Sequence, residues 1–437
     1  MYLEWIRKKM YWLTDALRGG IVKKHHDDIK RIVSNPQSHI SINSIAIREN
    51  AILLHTLQQV PYYATLLQQH ENCTVEDFPV IDKNIIRENF DLFFANGVNK
   101  ESLIRVVTSG STGTPFSVYH DVNKKKRNSA DTIYFGSLAG FEIGTQLNYL
   151  KIWTQVNKKS ALKTWFENIV PIDVTQLSDA NIELLLNRFN QSKKPQAFLG
   201  YASALESICR YIENSQTVHK KINKVSAAIT MSEGLSAYGK AAIHKYFGVH
   251  GVSRYSNVEN GIIAQQLPNG STAFIVNWAS YKVEILDLET NQPLPLGTVG
   301  KIVVTDYFNY AMPMIRYDTG DIGALDWDEQ KHRIVLSKVE GRKMDSVFNT
   351  NGTLVSSFTI TNNMWLYPEL KQYQFIQTGK KSYLFKLNLE GKFEREALLI
   401  SEFKKYFGED ATIAVEYVDE IPLLNSGKRK KVMNISQ

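Results

Sequence analysis

Thr108-Ser109-Gly110-Ser111-Thr112-Gly113-Thr114-Pro115 is the densest chemical signal in the chain. Glycine lets a backbone bring its N–H groups close to an anion, and the serine and threonine hydroxyls add further donors. An apolar run, Leu103-Ile104-Arg105-Val106-Val107, precedes the stretch, and another, Phe116-Ser117-Val118-Tyr119, follows it. The segment therefore reads as strand, polyphosphate-gripping turn, strand. A hydroxyl-rich turn alone is often only a turn, so its weight depends on the rest of the chain. A competitor, Gly234-Leu235-Ser236-Ala237-Tyr238-Gly239-Lys240-Ala241, nearly spells a Walker loop. It lacks the hydroxyl residue after the lysine that would serve Mg²⁺. Leu235 to Tyr246 also reads as helix straight through Gly239, which makes Lys240 a surface lysine.

Around this stretch lie 437 residues, 43% apolar and 22% charged. That is ordinary globular usage, enough for two or three domains and too apolar for wholesale disorder. No run approaches the roughly 18–20 apolar residues of a spanning helix. Arg7, Lys8 and Lys9 interrupt any apolar secretory signal. Two cysteines, Cys73 and Cys209, exclude a disulfide scaffold and a four-cysteine zinc site, so a reducing cytoplasm is expected. The net charge of +7 is mild for this length. It suits an anionic small molecule and gives no case for nucleic acid.

Residues 1–45 read as a helical extension. Leu3, Ile6, Met10, Leu13 and Leu17 recur at helical spacing until Gly19-Gly20 breaks the pattern. Trp5, Tyr11 and Trp12 among Arg7, Lys8, Lys9 and Arg18 have the composition of a membrane-surface helix. The expectation adopted is a helix packed on its own domain. His25-His26-Asp27-Asp28 has metal-ligand types, but neighbours point apart on a helix, so a solvated face is expected. Beyond about residue 95, strands such as Ala273–Val276, Tyr281–Leu286 and Lys301–Val304 alternate with helices at Asn181–Phe189 and Ala204–Glu213. The fold class is α/β: a large N-terminal domain of helix-covered mixed β-sheets over 1–340. A small, mobile C-terminal α+β domain follows over 341–437.

Further segments give the phosphate turn its context. They are Arg254-Tyr255-Ser256-Asn257-Val258-Glu259, Ile315-Arg316-Tyr317-Asp318-Thr319-Gly320-Asp321, Val339-Glu340-Gly341-Arg342-Lys343-Met344-Asp345 and Pro422-Leu423-Leu424-Asn425-Ser426-Gly427-Lys428. In this order and spacing the set resembles the adenylate-forming superfamily of acyl- and aryl-CoA synthetases. Val60-Pro61-Tyr62-Tyr63 and Phe78-Pro79-Val80-Ile81-Asp82-Lys83 resemble the phenylacetate–CoA ligase-like branch, which includes the capsular polysaccharide group.

The resemblance implies an AMP-forming ligase that uses ATP and Mg²⁺ to activate a small carboxylic acid. Ser109, Gly110, Ser111, Thr112, Gly113 and Thr114 would hold the terminal phosphates. Glu259 would ligate Mg²⁺, a hard cation that takes oxygen ligands. Tyr255, with Ser256 and Asn257 beside it, would lie against adenine, and Ser232, Glu233 and Gly234 would line its other side. Asp321 would accept from the ribose hydroxyls, and Arg342 would contact ribose or phosphate. Lys428 would be catalytic, its compact ammonium placed between α-phosphate and carboxylate, while Arg429, Lys430 and Lys431 read as a solvated basic tail. Trp153, Tyr201, Ala202 and Ser203, with Tyr134 and Phe135 near, would form the acid pocket.

Three positions depart from the family pattern. Val258 stands where many relatives have threonine, Phe116 where many have lysine, and Met344 at the hinge. The acyl acceptor is open between CoA, a carrier-protein thiol and an amino sugar, and a homodimer is open too. A plain acyl- or aryl-CoA ligase and a nucleotide-binding pseudoenzyme are the alternative readings.

Overall fold

The computed structural model describes residues 2–67, 73–108, 116–153, 160–342, 347–355, 360, 363–367, 369–389, 391–422 and 430–436. The phosphate turn Ser109 to Thr114, Lys343 to Asp345 of the hinge, Lys428 and Arg429 lie outside them, and Arg342 is described by its backbone alone.

The helices are α1 (Tyr2–Leu17), α2 (Ile21–Ser34), α3 (His39–Gln59), α4 (Pro61–Leu66), α5 (Lys83–Glu88), α6 (Val122–Leu138), α7 (Ala161–Phe166), α8 (Asp179–Gln191), α9 (Ala202–Asn214), α10 (Ala237–Phe247) and α11 (Glu396–Phe407). The strands begin with a hairpin, β1 (Ile104–Thr108) and β2 (Phe116–His120), whose register sets Thr108 opposite Phe116. There follow β3 (Gln146–Lys151), β4 (Ile169–Asp173), β5 (Gln196–Tyr201), β6 (Val225–Met231), β7 (Gly251–Asn257), β8 (Gly261–Gln266), β9 (Phe274–Val276), β10 (Tyr281–Leu286), β11 (Gly300–Asp306), β12 (Tyr317–Asp328) and β13 (Arg333–Arg342). The last are β14 (Val347–Phe348), β15 (Leu354–Val355), β16 (Leu370–Gln377), β17 (Ser382–Leu389), β18 (Thr412–Tyr417) and β19 (Val432–Asn434).

Eleven strands form one sheet in the order β10-β11-β12-β13-β9-β8-β7-β6-β5-β3-β4. From β4 to β7 the neighbours are parallel; from β7 onward they are antiparallel. Runs such as Gln196–Gly200 and Ala227–Thr230 are buried throughout, as parallel strands covered on both faces must be. One face packs on α8, α9 and α10 through Phe189, Phe198, Leu205, Ile243 and Phe247. Phe198 therefore lies beneath the sheet, in that core. A separate four-stranded sheet, β18-β17-β16-β19, packs on α11 through Phe375, Phe385, Phe403 and Phe407. The Walker-like segment is helix from Ala237, capped by Ser236, and Lys240 is half-buried.

Of two expectations for the N-terminal extension, one holds and one fails. The pair α1–α2 breaks at Gly19-Gly20 as the periodicity predicts, and Asp15 of α1 accepts the N–H groups of Val22 and Lys23 at the start of α2. As expected, α1 packs on its own domain; it does so by its aromatic and polar side, through Tyr11, Trp12, Glu4 and Lys8, which leaves Leu3, Met10, Leu13 and Leu17 facing outward. His25–Asp28, by contrast, is not the solvated face expected. His25 meets Asn123, and Asp28 ion-pairs with both Arg48 and Arg127. No cluster of metal-ligating residues occurs among the described residues.

Arg127 is the fully buried centre of that attachment. It donates to Asp28 at 2.8 Å, to Ser280 Oγ at 2.8 Å and to the Ala279 carbonyl at 2.8 Å. Replacing it with methionine strands Asp28 and Asp131 without their main counter-charge. R127M should cost about 3–5 kcal/mol, the usual cost of breaking a buried ion pair from one side. Urea unfolding followed by tryptophan fluorescence checks this; an unchanged midpoint contradicts it.

Candidate active site

Parallel strands share one direction, so β3, β5, β6 and β7 all end on the same edge of the sheet, where doubly wound sheets take their ligands. Trp153 follows β3, Tyr201 ends β5, Ser232-Glu233-Gly234 follows β6, and Glu259 sits in the turn after β7. The sequence candidates from four distant segments thus converge on one rim.

Glu259 is the most constrained of them, with 2% of its surface exposed. Its Oε1 accepts from the Tyr317 hydroxyl at 3.1 Å and from the Lys83 ammonium at 2.6 Å. Its backbone carbonyl accepts from His120 Nε2 at 2.7 Å. Burial and the neighbouring Glu259 carboxylate hold the Tyr317 phenol well above its usual pKa, so it stays a donor. Both side-chain partners occur in quoted motifs, yet sequence reasoning assigned neither a role. Their positions come from chain crossing: Ile81 N–H donates to the Arg316 carbonyl at 3.0 Å, and Asp318 N–H donates to the Ile81 carbonyl at 2.8 Å. Asp82 then caps α5, and Lys83 begins that helix beside Glu259. Lys83 and Arg87 also lie over the ring of Phe116, 5.5 and 5.6 Å from its centroid. Positive charge therefore gathers where the sequence lacks the family's lysine.

Tyr255 and Asp321, distant in sequence, meet: the phenol donates to Asp321 Oδ2 at 2.9 Å and to Thr319 Oγ1 at 3.1 Å. Burial, then the Asp321 charge, raises the phenol's pKa well above the usual value, so it remains protonated. Register pairs Asp321 with Arg342 across β12 and β13. Asn257 closes the β7–β8 turn by accepting from Asn260 N–H at 2.7 Å. Ser232 holds a left-handed backbone, φ 67°, as the chain leaves β6. Glu233 turns back from there, and its Oε2 accepts from Ser203 N–H at 2.9 Å. That bond joins the proposed adenine and acid segments, with Tyr201 and Ala202 at the start of α9. Trp153 stands edge-on to Tyr149 at 5.4 Å.

Some candidates lie elsewhere. Tyr134 and Phe135 pack into the core under α2, Tyr134 edge-on to His26 at 5.9 Å, because α6 turns that side to the N-terminal helices. Lys431 is no solvated tail: its ammonium approaches Glu206 Oε2 at 3.6 Å, joining the C-terminal segment to α9.

Residues 347–435 match the family model described as the CapK C-terminal domain. Protein CapK of Staphylococcus aureus is 21% identical over 82% of this chain and 80% of its own length. The phenylacetate-coenzyme A ligase of Aromatoleum evansii is 22% identical over 87% and 91%. A solved 2-hydroxyisobutyryl-CoA ligase, in the postadenylation state in complex with R3-HIB-AMP, superposes with a TM-score of 0.72 at 13% identity, covering 92% of this chain and 90% of that one. The chain has the fold of the adenylate-forming ligases. The resemblance read from the motif order is borne out, as is the mixed α/β architecture with a smaller C-terminal domain.

His120 ties the hairpin to the Glu259 turn, and its environment makes that tie pH-sensitive. Burial first, then Lys124, draws its pKa from 6.5 down to about 4. The unfolded chain binds this proton more tightly than the folded one, so stability present above pH 6.5 is lost as the pH falls toward 4. The whole span is worth about 3 kcal/mol. Denaturation midpoints at stepped pH should show that loss, and H120Q, which keeps a donor, should flatten it. An equal slope in both proteins contradicts the assignment.

Proposed function

We propose that this protein is an AMP-forming carboxylic acid ligase whose active site is the strand-end rim around Glu259. The observation that carries the reading is a buried carboxylate held by Lys83 and Tyr317 beside the Tyr255–Asp321 pair, on this fold. The reaction is attack of the acid's carboxylate on the α-phosphorus of ATP. An oxygen–phosphorus bond forms, the bond to the β-phosphate breaks, and acyl-AMP and pyrophosphate result. The nucleophile is already ionised at neutral pH, so the work is positioning and charge compensation rather than proton removal. Ser109 to Thr114, Lys83 and Arg87 take the departing phosphates. Tyr255, Ser232, Glu233 and Gly234 flank the adenine, and Asp321 with Arg342 takes the ribose.

Mg²⁺ fits the donor set, since one carboxylate plus substrate phosphates is its usual protein environment. Glu259 would hold it, by the oxygen not given to Lys83 or by displacing that ammonium, and it would supply charge neutralisation at the phosphates. Lys428, brought by the C-terminal domain acting as a mobile cap, is the catalytic cation. The second half-reaction passes the acyl group to CoA, a carrier thiol or an amino sugar. The resemblance of the Val60–Tyr63 and Phe78–Lys83 motifs to the branch that includes the capsular polysaccharide group supports surface polysaccharide synthesis, and the likeness to phenylacetate-coenzyme A ligase supports CoA. A cytoplasmic site of action belongs to the reading, because the reaction consumes ATP.

Pyrophosphate release with a panel of acids tests it. Release should require acid, ATP and Mg²⁺, and E259Q should abolish it. K428A should slow adenylation by about 10²–10³-fold, the scale of one preorganised electrostatic donor, with ATP affinity kept. Nucleotide binding without release for any acid would favour the pseudoenzyme, to which Val258, exposed beside Glu259, lends its weight.

A further inference from the structure

Arg254 is a buried cation without a described counter-ion. It lies on β7 just before Tyr255, and alternation along the strand turns it to the opposite face of the sheet from the adenine contacts. Only 8% of it is exposed. Its Nε donates to Gln265 Oε1 at 2.8 Å, and Gln265 in turn donates to the Phe135 carbonyl at 2.6 Å, both neutral groups. No carboxylate pairs with it among the described residues, whereas buried Lys124, Arg127 and Arg316 meet Asp306, Asp28 and Glu284 at 2.6, 2.8 and 3.2 Å. Burial draws its pKa down to about 10, with the Tyr149 phenol opposing. A guanidinium buried this deeply is costly unless an anion completes it.

Its surroundings belong to the acid pocket. Met231, its register partner on β6, receives the Tyr149 hydroxyl at 3.9 Å, and Tyr201 and Trp153 lie around the same phenol. The floor is thus aromatic and apolar, with the Arg254 guanidinium buried at its side and the Lys151 ammonium over the Tyr149 and Trp153 rings, 5.0 and 4.3 Å from their centroids.

We infer that Arg254 anchors a second anionic group of the acid, so that the substrate is a dicarboxylate or an acid with an equivalent anionic oxygen group, and not a hydrocarbon acid. This rests on the ligase reading and narrows it. The test is pyrophosphate release with pairs of acids matched in length, one member carrying a second carboxylate, on the full chain and on R254M. The diacid should be preferred by about 10³-fold or more in kcat/KM, because a site built for a polar group rejects the analogue that lacks it. R254M should lose that preference while turnover of the monoacid holds or rises, and R254K should restore part of it. Preference for monoacids, or an equal fall for both members in R254M, overturns the assignment while leaving the ligase reading intact. Release with no acid defeats both.

A different observation carries a second inference. On α1, Tyr2, Leu3, Trp5, Met10, Leu13 and Leu17 are 76, 52, 56, 47, 61 and 81% exposed and share one continuous face. Leu162 and Trp165 of α7 stand beside them, 78 and 65% exposed, joined to α1 by Arg7, which donates to the Trp165 carbonyl at 3.2 Å. The charges are sorted: Asp15 is buried and Glu4 half-buried on the docked side, while Lys9 and Arg18 stay exposed. No described helix is long and apolar enough to span a bilayer. We propose that this face lies in the surface of an anionic bilayer, aromatic and aliphatic groups buried and lysine and arginine at the headgroups.

The full chain should co-sediment with phosphatidylglycerol vesicles, about tenfold less with phosphatidylcholine, and release with salt. L13E/L17E, which touches no part of the ligase site, should stay in the supernatant. A chain that ignores the vesicles, or a variant that binds equally, overturns it. A dimer that L13E/L17E dissociates, without vesicle binding, makes the face an interface between copies instead.

Discussion

The structure turns on burying one carboxylate. Glu259 is 2% exposed, and the donors around it come from three separate stretches: Lys83 at the head of α5 and Tyr317 at the start of β12 on its carboxylate, and His120 at the end of β2 on its backbone carbonyl. Each is held by further bonds, those between Ile81 and the Arg316–Asp318 segment above all. The N-terminal hairpin, the parallel half of the large sheet and its antiparallel half therefore meet at this residue. Such an arrangement favours a site where charge is exchanged rather than created: an ammonium already stands where a phosphate-bearing ligand would bring its own cation.

The two faces of β7 divide the labour. Tyr255 on one face joins Asp321 and Thr319, a preorganised patch of neutral phenol and carboxylate. Arg254 on the other joins the aromatic pocket lined by Tyr149 and Met231. Two consecutive residues thus serve opposite faces of the sheet at one strand end, and in the proposed reaction nucleotide and acid would meet around that end, as an in-line attack on the α-phosphorus requires.

Much of this was legible in the sequence, and the limits are physical. Motif order pointed to the adenylate-forming ligases, and turn chemistry marked the break at Gly19-Gly20. Lys83 and Tyr317 stood within quoted motifs, yet their role depends on a partner far along the chain, which spacing does not report. The same holds for Asp28, whose partners Arg48 and Arg127 bury what the local pattern reads as a wet helix face. Periodicity located the apolar stripe of α1 but not the direction in which it looks; that is decided by Asp15, Tyr11 and Trp12 docking the other side. Lys431 read as tail because charge runs are usually solvated, and Glu206 lies on a helix of the other domain.

The central claim is that the carboxylate oxygen itself becomes bonded to the α-phosphorus at this rim. It is tested most directly by following that oxygen. With a turned-over acid labelled with ¹⁸O in its carboxylate, ATP and the acyl acceptor, mass spectrometry of the released nucleotide should find AMP carrying one labelled oxygen, with unlabelled pyrophosphate. Formation of ADP with labelled inorganic phosphate, or of AMP without label, would contradict the account.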